Sequence, residues 1–151
     1  MPDSSREVAY VAADMVVLTL RQGVLHVVLV RRAATTEHGK WALPGGFMKR
    51  GESAEETAYR ELREEVGIKR SEVVLEQLKT YSLPSRDPRP HRVISVAWVV
   101  LGAHLPEVHA ATDALEAQWV PVEEALEMPL GFDHAEILAD GIERARSKLE
   151  Y

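Results

Sequence analysis

The stretch GFMKRGESAEETAYRELREEVGI, residues 46–68, decides how this chain is read. Ser53 with Glu56 three residues later has the form of a capping box, in which each side chain serves the other residue's backbone N–H at a helix start. Ala54, Ala58, Leu62 and Val66 recur at every fourth position and make one apolar stripe. Gly67 suits the left-handed position just past a helix end. One amphipathic helix is therefore predicted between Ser53 and Gly67. Its polar face is unusual. At 100° per residue, Glu64 and Glu65 lie about −60° and about +40° from Glu61. Three carboxylates share that wedge near the C-terminal half of the helix, where they repel one another and oppose the dipole. The ordinary alternative is a solvated face with weak ion pairs. A hard divalent cation such as Mg2+, which takes carboxylate oxygens and bridges to phosphates, gives the wedge a purpose. Arg60 reaches either Glu56 one turn earlier or Glu52 in the preceding loop, and from either it would orient the carboxylates. Gly45 and Gly46 let the backbone approach a metal or phosphate without a Cβ in the way.

Outward from this segment the chain alternates apolar runs with short breaks. Val8 to Leu20 and Val24 to Val30 read as two strands around a Gln22-Gly23 turn. Arg31 to Lys40 reads as a loop, and Trp41 to Leu43 as a short strand broken by Pro44-Gly45-Gly46. Val73 to Leu83 and His91 to Leu101 read as strands separated by a Pro- and Arg-containing loop. Gln118 to Val122 suggests a last strand, Glu123 to Met128 a helical turn or two. Asp133 to Leu149 is a C-terminal helix with Ile137, Leu138, Ile142, Ala145 and Leu149 on one face. The expected class is α+β, a mixed sheet between helices. Trp41, Trp98 and Trp119 sit among apolar neighbours and are expected in the core.

A chain of 151 residues, 46% hydrophobic, fits one domain spanning 1–151. Cysteine is absent, which excludes disulfides, thiol catalysis and zinc–thiolate sites. No apolar run is long enough to cross a bilayer and no signal peptide is recognisable, so a cytoplasmic location with no membrane partner is expected. The net charge of −6 argues against broad nucleic-acid binding. It is compatible with a small phosphorylated ligand, since a carboxylate-bound metal inverts the local field.

Gly46, Glu52, Arg60, Glu61, Leu62, Glu64, Glu65, Gly67 and Ile68 match the Nudix box at every specified position. The chain resembles a Nudix hydrolase. The segments WALPGGF (41–47), YSLPSRDPRPHRVISVAWVVL (81–101), DALEAQWVPVEEAL (113–126) and FDHAEIL (132–138) are similar to the ADP-ribose pyrophosphatase group of that family. A proline placed like Pro84 is associated there with ADP-ribose hydrolysis. The resemblance implies the Nudix fold and Mg2+, with Mn2+ as a substitute, on Glu61, Glu64 and Glu65. Glu52 and the Gly45 carbonyl are additional ligands. Glu64 is the first candidate for the base and Glu116 the second, with Arg60 in support.

For substrate contacts the candidates are Gly46, Phe47, Arg31, Arg86, Asp87 and Arg89. Arginine forks bind phosphate bidentately, and the prolines of the 84–90 loop stiffen it. The plainer reading is a surface loop in which Asp87 caps a turn. His134 is expected to serve the helix start. The alternatives within the enzyme class are hydrolysis of oxidised nucleoside triphosphates, NADH or nucleotide sugars. A second class is an ADP-ribose sensor that carries a DNA-binding module; with the sequence ending at Tyr151 after one predicted C-terminal helix, such a module is not expected. A homodimer with a strand swapped from Met1 to Val17 is a further expectation by resemblance.

Overall fold

The computed structural model describes residues 4–110 and 114–149, apart from the side chain of Leu149. Asp113 and the ends of the chain, with the start of the Met1 to Val17 segment expected to swap, lie outside the described residues. Strands β1 (Ala9–Arg21), β2 (Val24–Arg32), β3 (Trp41–Ala42), β4 (Gly45–Phe47), β5 (Val74–Tyr81), β6 (Arg92–Leu101) and β7 (Ala114–Pro121) join in one sheet. Among the described residues, helices α1 (Ala54–Val66), α2 (Val122–Ala125) and α3 (His134–Leu149) accompany the sheet, with a 3-10 turn at Arg70–Glu72. Strands β3-β2-β1-β6-β5 are neighbours in that order, β4 pairs with β1 and β7 with β2. The β1–β6 pair is parallel and the others are antiparallel, so the sheet is mixed as expected.

Side-chain alternation along β1 explains the layering. Met15 and Val17 turn to one face and pack with Ala58, Leu62 and Val66 of α1. Val16 and Leu18 turn to the other and pack with Ile137, Leu138, Ile142 and Ala145 of α3. A strand covered on both faces carries apolar residues without a polar alternate, which is why β1 reads as a continuous run. The sheet therefore lies between α1 and α3. Trp98 is buried, while Trp41 and Trp119 are half-buried against the two cores.

Both ends of α1 follow the sequence. Ser53 and Glu56 form the capping box and Gly67 takes φ 73°. The 31–47 region differs. Arg31 and Arg32 continue β2 because they pair with β7, which starts earlier than its weak apolar signal indicates. Pro44 interrupts pairing for only a moment. Its carbonyl accepts the Met15 N–H at 2.9 Å, and Gly45–Phe47 then pairs with Ala12–Asp14. One edge of β1 is thus shared, by β2 at Leu18–Arg21 and by β4 at Ala12–Asp14, and the site lies beside the second stretch. Residues 9–17 are paired inside this chain's own sheet, against β6. Among the described residues no helix is long and apolar enough to cross a membrane.

Candidate active site

Arg60 organises the carboxylates of α1. It donates to Glu52 from Nε at 2.5 Å and from a terminal nitrogen at 2.9 Å, to Glu61 at 2.6 Å, to Glu64 at 3.2 Å, and to the Phe47 carbonyl at 2.8 Å. Of the two partners open from sequence it takes Glu52, since Glu56 is occupied by the capping box. The Arg60 fork, the Lys49 amide at 2.8 Å and the Thr57 hydroxyl at 3.1 Å hold the Glu52 carboxyl down at about 2. Its charge is in place across the whole physiological range. The same carboxylates push the Arg60 guanidinium upwards.

A cavity of about 250 Å³ opens beside this edge. Glu65 and Gly45-Gly46-Phe47 line one part of it, and Arg32, Arg86, Asp87, Arg89, Phe132 and His134 line the rest. A Cβ on Gly46 would lie 2.4 Å from the Glu61 carboxyl, and one on Gly45 would lie 2.6 Å from an Asp14 carboxylate oxygen. The diglycine is therefore a thin partition between two groups of charges.

Behind the partition, Asp14 is buried and accepts from Ser95 Oγ at 2.5 Å. His134 Nε2 lies 3.4 Å from Asp14, and its Nδ1 accepts the Leu43 N–H at 3.0 Å. That acceptor role leaves the ring proton on Nε2, facing the carboxylate. Burial works against the charge on Asp14, but His134, Ser95 and Arg86 together hold its carboxyl below the usual value. Arg86 donates from both arms of its fork to Asp133, at 2.8 and 2.7 Å, with Asp14 3.8 Å away. Burial opposes its charge too, and Asp133 more than restores it.

The sequence candidates thus fall into three groups. Glu52, Arg60, Glu61 and Glu64 meet on one helix edge, with Glu65 at the cavity. Gly45, Gly46, Phe47, Asp87 and Arg89 line the cavity. Arg31, Arg86 and Glu116 are committed elsewhere. Arg31 and Glu116 are register partners on β2 and β7 and form an ion pair at 3.4 Å; neither lines the cavity, because Arg32, one residue on, points that way instead. The Arg86 fork is filled by Asp133. Asp87 accepts the Arg89 N–H at 2.9 Å, the turn-capping role that its type favours. Asp14, Arg32 and Phe132 were not singled out from sequence. Asp14 had a signal, as a lone acid inside an apolar strand. His134 does serve as an anchor, but for Leu43 and Asp14 rather than for its own helix.

The oxygen donors suit a hard divalent cation: Glu61, Glu64 and Glu65 on one helix, with Glu52 beside them. Among the described residues no three acidic or His side chains converge on one point in the present rotamers, because Arg60 stands between the carboxylates as their counter-ion. Glu64, 47% exposed in its side chain, has room to turn.

Residues 9–141 match the NUDIX domain. A chain described as an ADPR responsive transcriptional repressor, NtrR of Acinetobacter baylyi, is 30% identical over 142 residues, 91% of this chain and 55% of that protein. An ADP-ribose pyrophosphatase of Methanocaldococcus jannaschii is 39% identical over 116 residues, 76% of this chain and 64% of that protein. The chain thus spans less than two thirds of the length of either. The NUDIX domain of Shewanella oneidensis NrtR, solved with ADP ribose, superposes with a TM-score of 0.84 at 29% identity, covering 96% of this chain and 94% of that one. With the fold, the ordered carboxylate edge of α1 and this match in hand, the chain belongs to the NUDIX domain family.

Proposed function

We propose that this chain, acting as one domain, hydrolyses the pyrophosphate of a nucleoside diphosphate linked to another group, with ADP-ribose giving AMP and ribose 5-phosphate. The observation that carries the reading is the cluster of carboxylates at the α1 edge, where Glu52, Glu61 and Glu64 converge on Arg60 beside a cavity lined by Arg32, Arg86 and Arg89 with Asp14, Glu65 and Asp87. The relatives that act on or respond to ADP-ribose support the substrate.

Glu61, Glu64 and Glu65, with Glu52 and the Gly45 carbonyl, would hold Mg2+, and Mn2+ in its place. When bound, the metal supplies charge neutralisation at the pyrophosphate and a water of lowered pKa. The protein's own part is positional and acid–base. Arg60 keeps Glu52 ionised and orients both Glu52 and Glu61. Glu64, the most exposed carboxylate of that group, takes a proton as water attacks phosphorus. One P–O bond forms from the water oxygen and the bridging P–O bond breaks, so two phosphate monoesters leave. Glu116 is the weaker candidate for the base because Arg31 already engages it. Gly46, Phe47, Asp87 and Arg89 contact the substrate, while Arg86 supports the cavity from behind.

Chromatographic product analysis tests this, with and without Mg2+, against ADP-ribose, NADH, nucleotide sugars and nucleoside triphosphates. AMP formed preferentially from ADP-ribose is the expected result. Preference for a triphosphate overturns the substrate and keeps the chemistry. Binding of ADP-ribose with no product favours a sensor, a reading supported by the repressor of which this chain spans 55%.

A further inference from the structure

One backbone segment joins the buried group behind the diglycine to the carboxylate edge in front of it. Ala42 ends the pairing of β3 with β2, and Gly45 begins the pairing of β4 with β1. Leu43 and Pro44 are the crossover between the two ladders. Leu43 is buried, so its N–H must find an acceptor that neither ladder supplies. His134 Nδ1 is that acceptor, at 3.0 Å and 91 residues away. Pro44 carries no N–H, which makes this the last amide bond before β4. The imidazole is itself held in place. Its Nε2 faces Asp14 at 3.4 Å, and Asp14 is fixed in turn by Ser95 at 2.5 Å. Phe132, at φ 53°, turns the chain into α3 with its N–H on the Glu37 carboxylate at 3.1 Å and its ring 5.3 Å from the imidazole. A bulky residue keeps that conformation only where its surroundings over-determine it.

From the crossover onward the segment has no slack. Gly45 lies so close to the Ala13 carbonyl and the Asp14 carboxylate that no Cβ fits, and Gly46 lies equally close to the Glu61 carboxyl. The next carbonyl, of Phe47, accepts from Arg60 at 2.8 Å. That guanidinium also holds Glu52, Glu61 and Glu64. β4 has only three residues, so its grip on β1 is short and depends on how the chain enters it. A shift at Leu43 therefore reaches Glu61 by contact and the Arg60 fork by a hydrogen bond.

We propose that His134 is a positioning residue for the metal-binding edge of α1, acting through its bond to the Leu43 N–H and the rigid Leu43–Phe47 segment. The assignment rests on the divalent-cation reading above and adds what fixes the geometry of that edge from behind. The shape held by the buried group is thus the shape of the carboxylate edge. Groups that orient metal ligands without touching the metal commonly set its affinity. Coupling of this kind is reciprocal: a bond that strengthens metal binding is itself strengthened by the metal.

Mn2+ binding to the nucleotide-free protein, followed by the paramagnetic resonance signal of the free ion, tests the coupling without turnover. His134→Leu should weaken Mn2+ by about tenfold, the lower end of what loss of an orienting group costs. His134→Gln, whose amide oxygen can accept from Leu43, should restore the parental affinity to within about twofold. Ile142→Val loosens the packing of α3 but keeps the Leu43 bond, and should bind Mn2+ as the parent does. A second measurement needs no variant. In the parent, Mg2+ should slow hydrogen exchange at the Leu43 amide by more than it slows the amides of the β5–β6 pair. A purely structural role predicts something else: His134→Leu melts earlier with its Mn2+ affinity intact. That result, an equal loss in Ile142→Val, no recovery in His134→Gln, or a Leu43 amide indifferent to Mg2+ each overturns the proposal. Failure of the underlying reading looks different: a parent that binds no Mn2+ removes the metal site and this proposal with it, whereas a substrate other than ADP-ribose leaves the coupling in place.

Discussion

Two groups of charges flank the Gly45-Gly46 partition, and they differ in balance. On one side, Glu52, Glu61 and Glu64 share Arg60, and Glu64 is about half exposed. On the other, Asp14, Asp133, Arg86 and His134 are nearly closed to solvent and matched donor for acceptor. An unbalanced, open group retains capacity for a cation and for a proton. A balanced, closed group has none to spare and can only hold shape. The first is fitted for chemistry and the second for support.

The largest expected effect separates them by activity. Glu64→Gln should lower turnover of ADP-ribose by about 10²- to 10⁴-fold, the usual contribution of a general base, with the melting temperature unchanged. Arg86→Met should do the reverse. It leaves the half-buried Asp133 without its fork, while Asp14 keeps Ser95 and His134, and urea unfolding should show a loss of about 3 kcal/mol. A Glu64→Gln variant that unfolds, or an Arg86→Met variant as stable as the parent, breaks the comparison.

His134→Leu should be intermediate. It strands the Leu43 N–H and one side of Asp14, a cost of about 1–3 kcal/mol in chemical unfolding. His134→Gln, whose amide can both accept from Leu43 and donate to Asp14, should recover most of that stability. No recovery would show that ring packing, not the hydrogen-bond relay, is what His134 supplies.

The smallest effect concerns acid. The Glu52 carboxyl is depressed from 4.5 to about 2, so it contributes stability that is full above 4.5 and is lost as pH falls towards 2. Glu52→Gln should therefore lower stability above about 4.5, flatten the profile between those values and leave stability near pH 2 unchanged. An unchanged acid limb would contradict the ion-pair geometry drawn for Arg60.

The same comparison explains what the sequence made legible. The α1 edge is local: helix geometry alone brings residues one, three and four apart to one face, so the capping box, stripe and carboxylate wedge are all visible in a single stretch. The buried group is assembled from β1, β6, the 84–90 loop and the start of α3. Its bonds span 81 residues from Asp14 to Ser95 and 47 from Arg86 to Asp133. Only the parallel β1–β6 register brings them together, and no periodicity announces it. For that reason Arg86, a fine phosphate fork by type, is spent on Asp133. Arg31 and Arg32 were a choice of strand face that β7 settled. Phe132 depends on a backbone angle that composition does not reveal.

The most direct test is turnover of ADP-ribose in Mg2+ by the parent and by the triple variant Glu61→Gln, Glu64→Gln, Glu65→Gln, with ADP-ribose binding measured alongside. The account predicts AMP and ribose 5-phosphate from the parent, and binding without product from the triple variant. Full turnover by the triple variant would contradict it.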